Sequence, residues 1–315
     1  MTVYEQIRKN KRRSVVLVAL FVAFLGLLGY AIGEYYIGPG GGVVGIGYAL
    51  VGSVVMTLIS VYSGDKLALV TAGAHQLTTE SDNPKIWRMV ENLCITAGLP
   101  LPKIHIIEDP AMNAFATGRN PEKASIALTT GLIENLEDSE LEGVIAHELS
   151  HVKNYDTRLL MIVIVLVGSI TLLADFMWRG TFLGFGGRKS SSKHSSNQIE
   201  IIFMVAALVL IVLSPIIAEL IKLAISRKRE FLADASAVLL TRYADGLSGA
   251  LKKIGAQAAN GVQLQRANRA TAHLYLSNPF KKGKAFSHLF STHPPIEERI
   301  DVLASMGGSP TASNK

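Results

Sequence analysis

Apolar residues are distributed along this chain in two ways. Long runs with few polar interruptions occupy 14–32, 43–62, 159–178 and 201–225, while elsewhere apolar residues recur at the spacing of one helix face or one strand face. A helix needs about 20 apolar residues to cross a hydrocarbon core of roughly 30 Å, so the four runs predict four transmembrane helices. The first begins directly after Arg8, Lys9, Lys11, Arg12 and Arg13, is longer than the apolar core of a signal peptide, and lacks a small-x-small exit, which predicts a retained span. The chain therefore divides into a tail with two spans (1–62), a soluble part (63–158), two further spans with a Gly- and Ser-rich connector (159–225), a second soluble part (226–306) and a disordered tail (307–315).

Within 63–158 the periodicity predicts a helix opened by Asn83 and Pro84, carrying Ile86, Val90, Leu93 and Ala97 on one face and ended by Gly98. Short strands follow at Ile104–Ile107 and Ser125–Thr129. Between them, Asn113–Ala116 precedes a turn marked by Gly118, Asn120 and Pro121. That piece could be the edge of a small sheet that pairs with substrate backbone, or an ordinary strand of a hairpin. A second helix carries the stripe Leu141, Ile145, Leu149 and Val152, with Ser139 and Glu142 as a capping box. Gly143 is its weak point, at about 1 kcal/mol against Ala. Beyond the fourth run, helices are predicted around 247–259 and 295–306.

Composition supports the membrane reading. Among 315 residues 49% are hydrophobic and 18% charged, and the mean hydropathy is +0.32, too apolar for an average soluble enzyme. The net charge of +6 could suggest nucleic acid, but the basic residues cluster beside the apolar runs, where they would face anionic headgroups of a lipid bilayer. The connector GEYYIGPGGG between the first two runs has no Lys or Arg, so the positive-inside rule puts the N-terminus and residue 63 onward in the cytoplasm. Arg179, Arg188, Lys189 and Lys193 in the third connector go against that rule, and a hairpin that crosses only partly stays open as an alternative. The single Cys94 excludes an internal disulfide and a Cys-based zinc site, and is expected in a core.

Chemistry enters with His147, Glu148 and His151, spaced His-Glu-x-x-His on the second predicted helix. Residues i and i+4 share a face, so the two imidazoles can reach one metal ion, and Glu148 beside them can take a proton from a water on it. An amphipathic helix with two unrelated histidines is the plain alternative, so a third ligand is needed. Two crossings after the motif return the chain to the same membrane face, where Glu230 and Asp234 stand at i and i+4 in SRKREFLADAS. Glu230 can supply the third ligand, and Asp234 can hold a ligand histidine by a hydrogen bond. The rival reading makes Glu230 a solvated charge at a membrane exit. A zinc-stapled scaffold without activity and a transporter built on Asp175 and Glu219 are the other functional readings.

With HELSH, SRKREFLADA, NAFATG and THPPIEERI together, the chain closely resembles the HtpX family of membrane-integrated zinc metalloproteases and, more distantly, the CAAX prenyl proteases. The resemblance implies a mainly α membrane protein with four transmembrane helices and a zincin-like α+β metalloprotease domain of gluzincin type. It also implies one zinc ion per chain on His147, His151 and Glu230, with Glu148 as catalytic base and Asp234 as supporting acid. Asn113 and Ala114 match the segment that looks like a substrate-binding edge strand, and His293 with Arg299 a region that stabilises the oxyanion. Polypeptide substrates, damaged membrane proteins above all, and a multi-pass place in a prokaryotic plasma membrane with the site facing the cytoplasm complete the expectation.

Overall fold

The computed structural model describes residues 3–162, 227–266, 275–276 and 294–306. The third and fourth apolar runs beyond residue 162, His293 and the tail 307–315 lie outside the described residues.

Helices α1 (Val3–Ile37) and α2 (Gly41–Ala72) form an antiparallel hairpin whose turn contains Gly38 and Gly40 at φ 93° and 87°. Gly40 has no side chain to cap α2, and Glu34 supplies the acceptor, taking hydrogen bonds from the backbone N–H of Gly40 (3.3 Å) and Gly42 (2.9 Å). The helices meet through Gly29 and Gly33 on one side and Gly41 and Gly45 on the other, and a Cβ on Gly45 would run into the Gly29 carbonyl. The outer faces expose Val15, Leu20, Leu27, Val43, Val51 and Leu58. Counting only the described residues, no helix is long and apolar enough to cross a membrane. The backbone is nevertheless helical throughout the apolar runs 14–32 and 43–62. Nor does α2 stop where the composition changes at Ser63. It runs on through Asp65 and Lys66 to bury Ala68, Leu69 and Ala72 in a cluster with Ile107, Phe115, Ala127 and Tyr275.

A four-stranded sheet follows, in the order β1 (Ala74–Gln76), β2 (Lys103–Ile107), β4 (Ser125–Thr129), β3 (Ala114–Thr117). β2 and β4 are parallel, Lys103 opposite Ser125 and Ile107 opposite Thr129, while β1 and β3 run antiparallel to their neighbours. The fully buried β4 is the spine, and β3 is both an edge strand and half of a hairpin, one residue later than expected. β1 is not foreshadowed, because three residues containing His75 and Gln76 have no strand pattern.

Between β1 and β2 lies α3 (Pro84–Ala97), delimited as its sequence predicts. The Asn83 side chain accepts from the Ile86 N–H (3.2 Å), Pro84 opens the helix, and Gly98 closes it at φ 67°. Its apolar face is buried together with Cys94. β4 passes directly into α4 (Thr130–Asn135), capped by the Thr129 hydroxyl, which accepts from the Leu132 N–H (3.2 Å). α5 (Asp138–Lys153) then carries the His-Glu-x-x-His motif. Its capping box is Glu137 with Glu140, not Ser139 with Glu142. The shift has a tertiary cause. Lys253 Nζ donates to Glu140 Oε2 at 2.6 Å, and the same oxygen accepts from the Glu137 N–H at 2.9 Å.

Three helices pack around α5: α6 (Arg227–Thr241), α7 (Ala244–Ala259) and α8 (Ile296–Met306), the last reaching it through α6 and α7. Leu141, Ile145, Leu149 and Val152 form the buried stripe of α5, facing a core that includes Leu247, Leu251, Ile254 and Leu303. Gly143 proves to be a contact point. A Cβ there would come 2.7 Å from the backbone nitrogen of Leu247, so α7 can lie this close only against glycine.

Candidate active site

α5 contributes His147 and His151, and α6 contributes Glu230, so the site joins two helices that lie on either side of the third and fourth apolar runs in the sequence. The two Nε2 atoms are 3.2 Å apart, and Glu230 approaches them at 3.7 Å from each, Oε2 toward His147 and Oε1 toward His151. Neighbouring ligands of a tetrahedral ion bonded at about 2.0–2.2 Å lie about 3.3–3.6 Å apart, so the spacing suits such an ion. All three side chains are buried, and their donor atoms lie within 4.8 Å of one another. Two imidazoles and one carboxylate leave one position of a tetrahedron open, the arrangement a hydrolytic metal needs. Glu148 follows His147 on α5, is buried, and lies within electrostatic reach of His151 and Arg299.

Each histidine is backed by a carboxylate. Asp234 Oδ1 lies 2.9 Å from His147 Nδ1, one turn along α6 from Glu230. Arg299 of α8 holds Asp234 by a fork, donating from Nε to Oδ2 (2.9 Å) and from Nη2 to Oδ1 (2.6 Å). Behind His151 stands Asp156, whose Oδ2 is 3.1 Å from Nδ1 and whose Oδ1 accepts from Arg229 Nη1 at 3.1 Å. Half-buried Arg13 of α1 lies close enough for its charge to act on Asp156 and Arg229. Periodicity gives no sign of Asp156, which lies beyond the end of α5. The one available signal is its acidic character five residues after a ligand histidine.

These surroundings split the two imidazoles. Burial and the Arg299 charge push the His147 pKa down against the pull of Asp234. Burial would depress His151 too, but the hydrogen bond to Asp156 and the Glu230 charge prevail and raise it to about 9. Burial opposes the ionised form of Asp234, yet its bond to His147 and the Arg299 charge hold it below the usual carboxylate range.

Of the other expected site residues, Arg299 is 0% exposed, with its fork closed on Asp234. The fork uses Nε and Nη2, while Nη1 lies 4.0 Å from Glu230 Oε2. His293 lies outside the described residues, and Pro294 and Pro295 lead into α8. Asn113 adjoins β3: its N–H donates to Thr129 Oγ1 (2.9 Å), its carbonyl accepts from the Thr129 N–H (3.1 Å), and its Oδ1 accepts from the Ala114 N–H (3.0 Å). The Ala114 carbonyl accepts from the Leu276 N–H at 3.0 Å, so this chain itself covers that point of the β3 edge. β3 packs directly against α5, which brings the edge strand beside the motif helix.

A helix-borne His-Glu-x-x-His completed by a carboxylate from a second helix defines a metallopeptidase of the zincin class. Residues 80–306 match the model of peptidase family M48. Curated relatives named "Protease HtpX homolog" include those of Lactobacillus helveticus (42% identical over 304 residues, 96% of this chain and 99% of the relative) and Tropheryma whipplei (41% over 304 residues, 96% and 98%). Another, from Listeria monocytogenes, is 42% identical over 311 residues, covering 96% of this chain and 99% of the relative. The fold is similar to the crystal structure of S. mikatae Ste24p, with a TM-score of 0.51 at 22% identity over 95% of this chain and 67% of that one. The chain belongs to peptidase family M48 and, within it, to the HtpX proteases.

Proposed function

We propose that this chain is a zinc-dependent endopeptidase anchored in a membrane by its apolar helices. The observation that carries the reading is the convergence of His147, His151 and Glu230 with Glu148 beside them. The donor set suits zinc, since two histidines and one glutamate with one open position is a ligand set of hydrolytic zinc sites. The chemistry zinc supplies in such a set is a lowered pKa, to about 7, for a coordinated water and polarisation of the scissile carbonyl.

The rest falls to the chain. His147, His151 and Glu230 hold the ion. Glu148 accepts the proton of the attacking water and passes it to the departing amine nitrogen, one carboxylate acting as base and then as acid. Asp234, fixed by Arg299, holds the His147 ring by Nδ1 and keeps Nε2 directed inward. An extended substrate strand would lie along β3 near Asn113 and Ala114, with the segment at Leu276 giving way at the Ala114 carbonyl.

The membrane anchorage rests on the long helices α1 and α2, their exposed apolar faces and the basic cluster at their start. The basic cluster before α1 and the Lys- and Arg-free connector after it favour the cytoplasmic side for the peptidase unit, taken as residues 63–158 and 226–306. Damaged or unassembled membrane proteins, cut in loops on that side, are the substrate class this anchorage favours. The test is cleavage of an unfolded protein by detergent-purified enzyme, prepared under chelation and then given zinc, beside Glu148→Gln. Zinc-restored cleavage that is lost by at least about a hundredfold in a variant that still binds zinc is the expected result. Two zinc-loaded proteins that both leave every substrate intact would favour the inactive scaffold.

A further inference from the structure

The two ligand histidines have the same kind of support, and the support of His151 has no assigned role. Behind His147 stand Asp234 and Arg299, and behind His151 stand Asp156 and Arg229. We propose that Asp156 is a positioning residue of the metal centre, one that fixes the His151 ring with Nε2 toward Glu230 and is itself fixed by Arg229. The inference rests on the proposed ligand role of His151.

Three independent observations converge on it. First, Asp156 is 3% exposed, and a buried carboxylate is costly unless it is paired and hydrogen-bonded. Its oxygens are divided, Oδ2 to the His151 ring and Oδ1 to Arg229, so the one carboxylate engages the ring and the guanidinium at once.

Second, the backbone is bent to deliver it. α5 ends at Lys153, and Tyr155 then adopts φ 59°, a left-handed conformation that bulky non-glycine residues rarely take. The Asn154 N–H donates back to Ser150 (3.0 Å), the Tyr155 N–H to Val152 (3.2 Å), and the Thr157 hydroxyl to the Gly118 carbonyl (2.9 Å). Asp156 is thus pinned from both sides at the point where the chain reverses onto the last turn of α5. Backbone strain of this kind clusters at functional sites.

Third, the arginine that holds Asp156 precedes Glu230 on α6. Helix α6 therefore supplies a metal ligand, the carboxylate behind one histidine and the cation behind the carboxylate of the other. A shift of α6 along its axis would disturb all three contacts together.

The experiment compares wild type with Asp156→Asn and with the double variant Asp156→Asn/Arg229→Gln, which also removes the buried cation in case the single variant fails to fold. Zinc affinity is measured by chelator competition, ligand geometry by the visible spectrum of the cobalt(II)-substituted protein, and kcat and KM on an unfolded substrate. Thermal unfolding in excess chelator reports the structural contribution separately. A loss of zinc affinity of about 10–100-fold in both variants, an altered cobalt spectrum, and a fall in kcat at constant KM are expected. Wild-type zinc affinity and an unchanged cobalt spectrum in both variants, with only the chelator-treated stability lowered, would overturn the proposal and leave Asp156 with a structural ion-pairing role. A wild type that binds no zinc would overturn the metal reading itself, and this inference with it.

Discussion

His147 and His151 sit one turn apart on the same helix, yet their surroundings pull their proton affinities in opposite directions. In protein stripped of metal by a chelator, His151 therefore keeps its proton at neutral pH while His147 does not. Zinc binding must displace that proton. Calorimetric titration in buffers of different ionisation enthalpy should show about one proton released per zinc at pH 7.5, falling toward none above about 9. The same shifts give the stripped protein a pH-dependent stability. The raised His151 contributes stability that is full below about 6.5 and lost as pH rises through about 9, while the lowered His147 penalises folding as pH falls below about 6.5. From these two groups, stability should peak near pH 6.5, and a monotonic rise to pH 9 would contradict the assignment. Arg299 offers a further test. Its replacement by Ala leaves Asp234 buried beside His147 alone and should cost about 3–5 kcal/mol in denaturant unfolding. A large fall in kcat with stability unchanged would instead restore Arg299 to the oxyanion. The convergence of side chains was legible where spacing alone puts groups on one helix face, as for His147 with His151 and Glu230 with Asp234. Asp156 and the Arg299 fork were not, because they depend on a left-handed turn and on a contact spanning 65 residues.

The elements were legible wherever their boundaries are set by local chemistry, as at Asn83, Pro84 and Gly98 of α3. Where a distant side chain decides, local reading fails. The N-terminus of α5 is fixed by Glu137 and Glu140 because Lys253 of α7 holds Glu140 in place. Gly143 shows the same lesson with the opposite sign. Helix propensity alone says that Gly143→Ala should stabilise α5 by about 1 kcal/mol. The added methyl would lie 2.7 Å from the Leu247 nitrogen, a backbone atom that cannot step aside without moving α7. Overpacking of this kind costs about 1–3 kcal/mol, so the variant should be net destabilised by up to about 2 kcal/mol, seen as a lower midpoint in urea. A higher midpoint would mean that α7 moves freely against α5. In the α1–α2 hairpin, Gly45→Leu should separate the helices, since its side chain would displace the Gly29 carbonyl. The measurement is the distance between spin labels on cysteines introduced at Gly26 of α1 and Gly52 of α2, which should lengthen in the variant.

At the scale of the whole molecule, α2 is one unbroken helix from the second apolar run into the core beneath the sheet. Nothing between Tyr62 and Ala72 acts as a hinge, and Arg119 stacks over the Tyr62 ring at 4.5 Å, tying the loop after β3 to the same helix. Ten residues at 1.5 Å each place about 15 Å of rigid rod between the apolar run and the sheet. If the apolar run is embedded, the enzyme carries a ruler. A tethered substrate must span that height with extended chain at about 3.3 Å per residue, so bonds closer than about five residues to the bilayer stay out of reach. Cleavage position would then be counted from the membrane surface before any side chain is read.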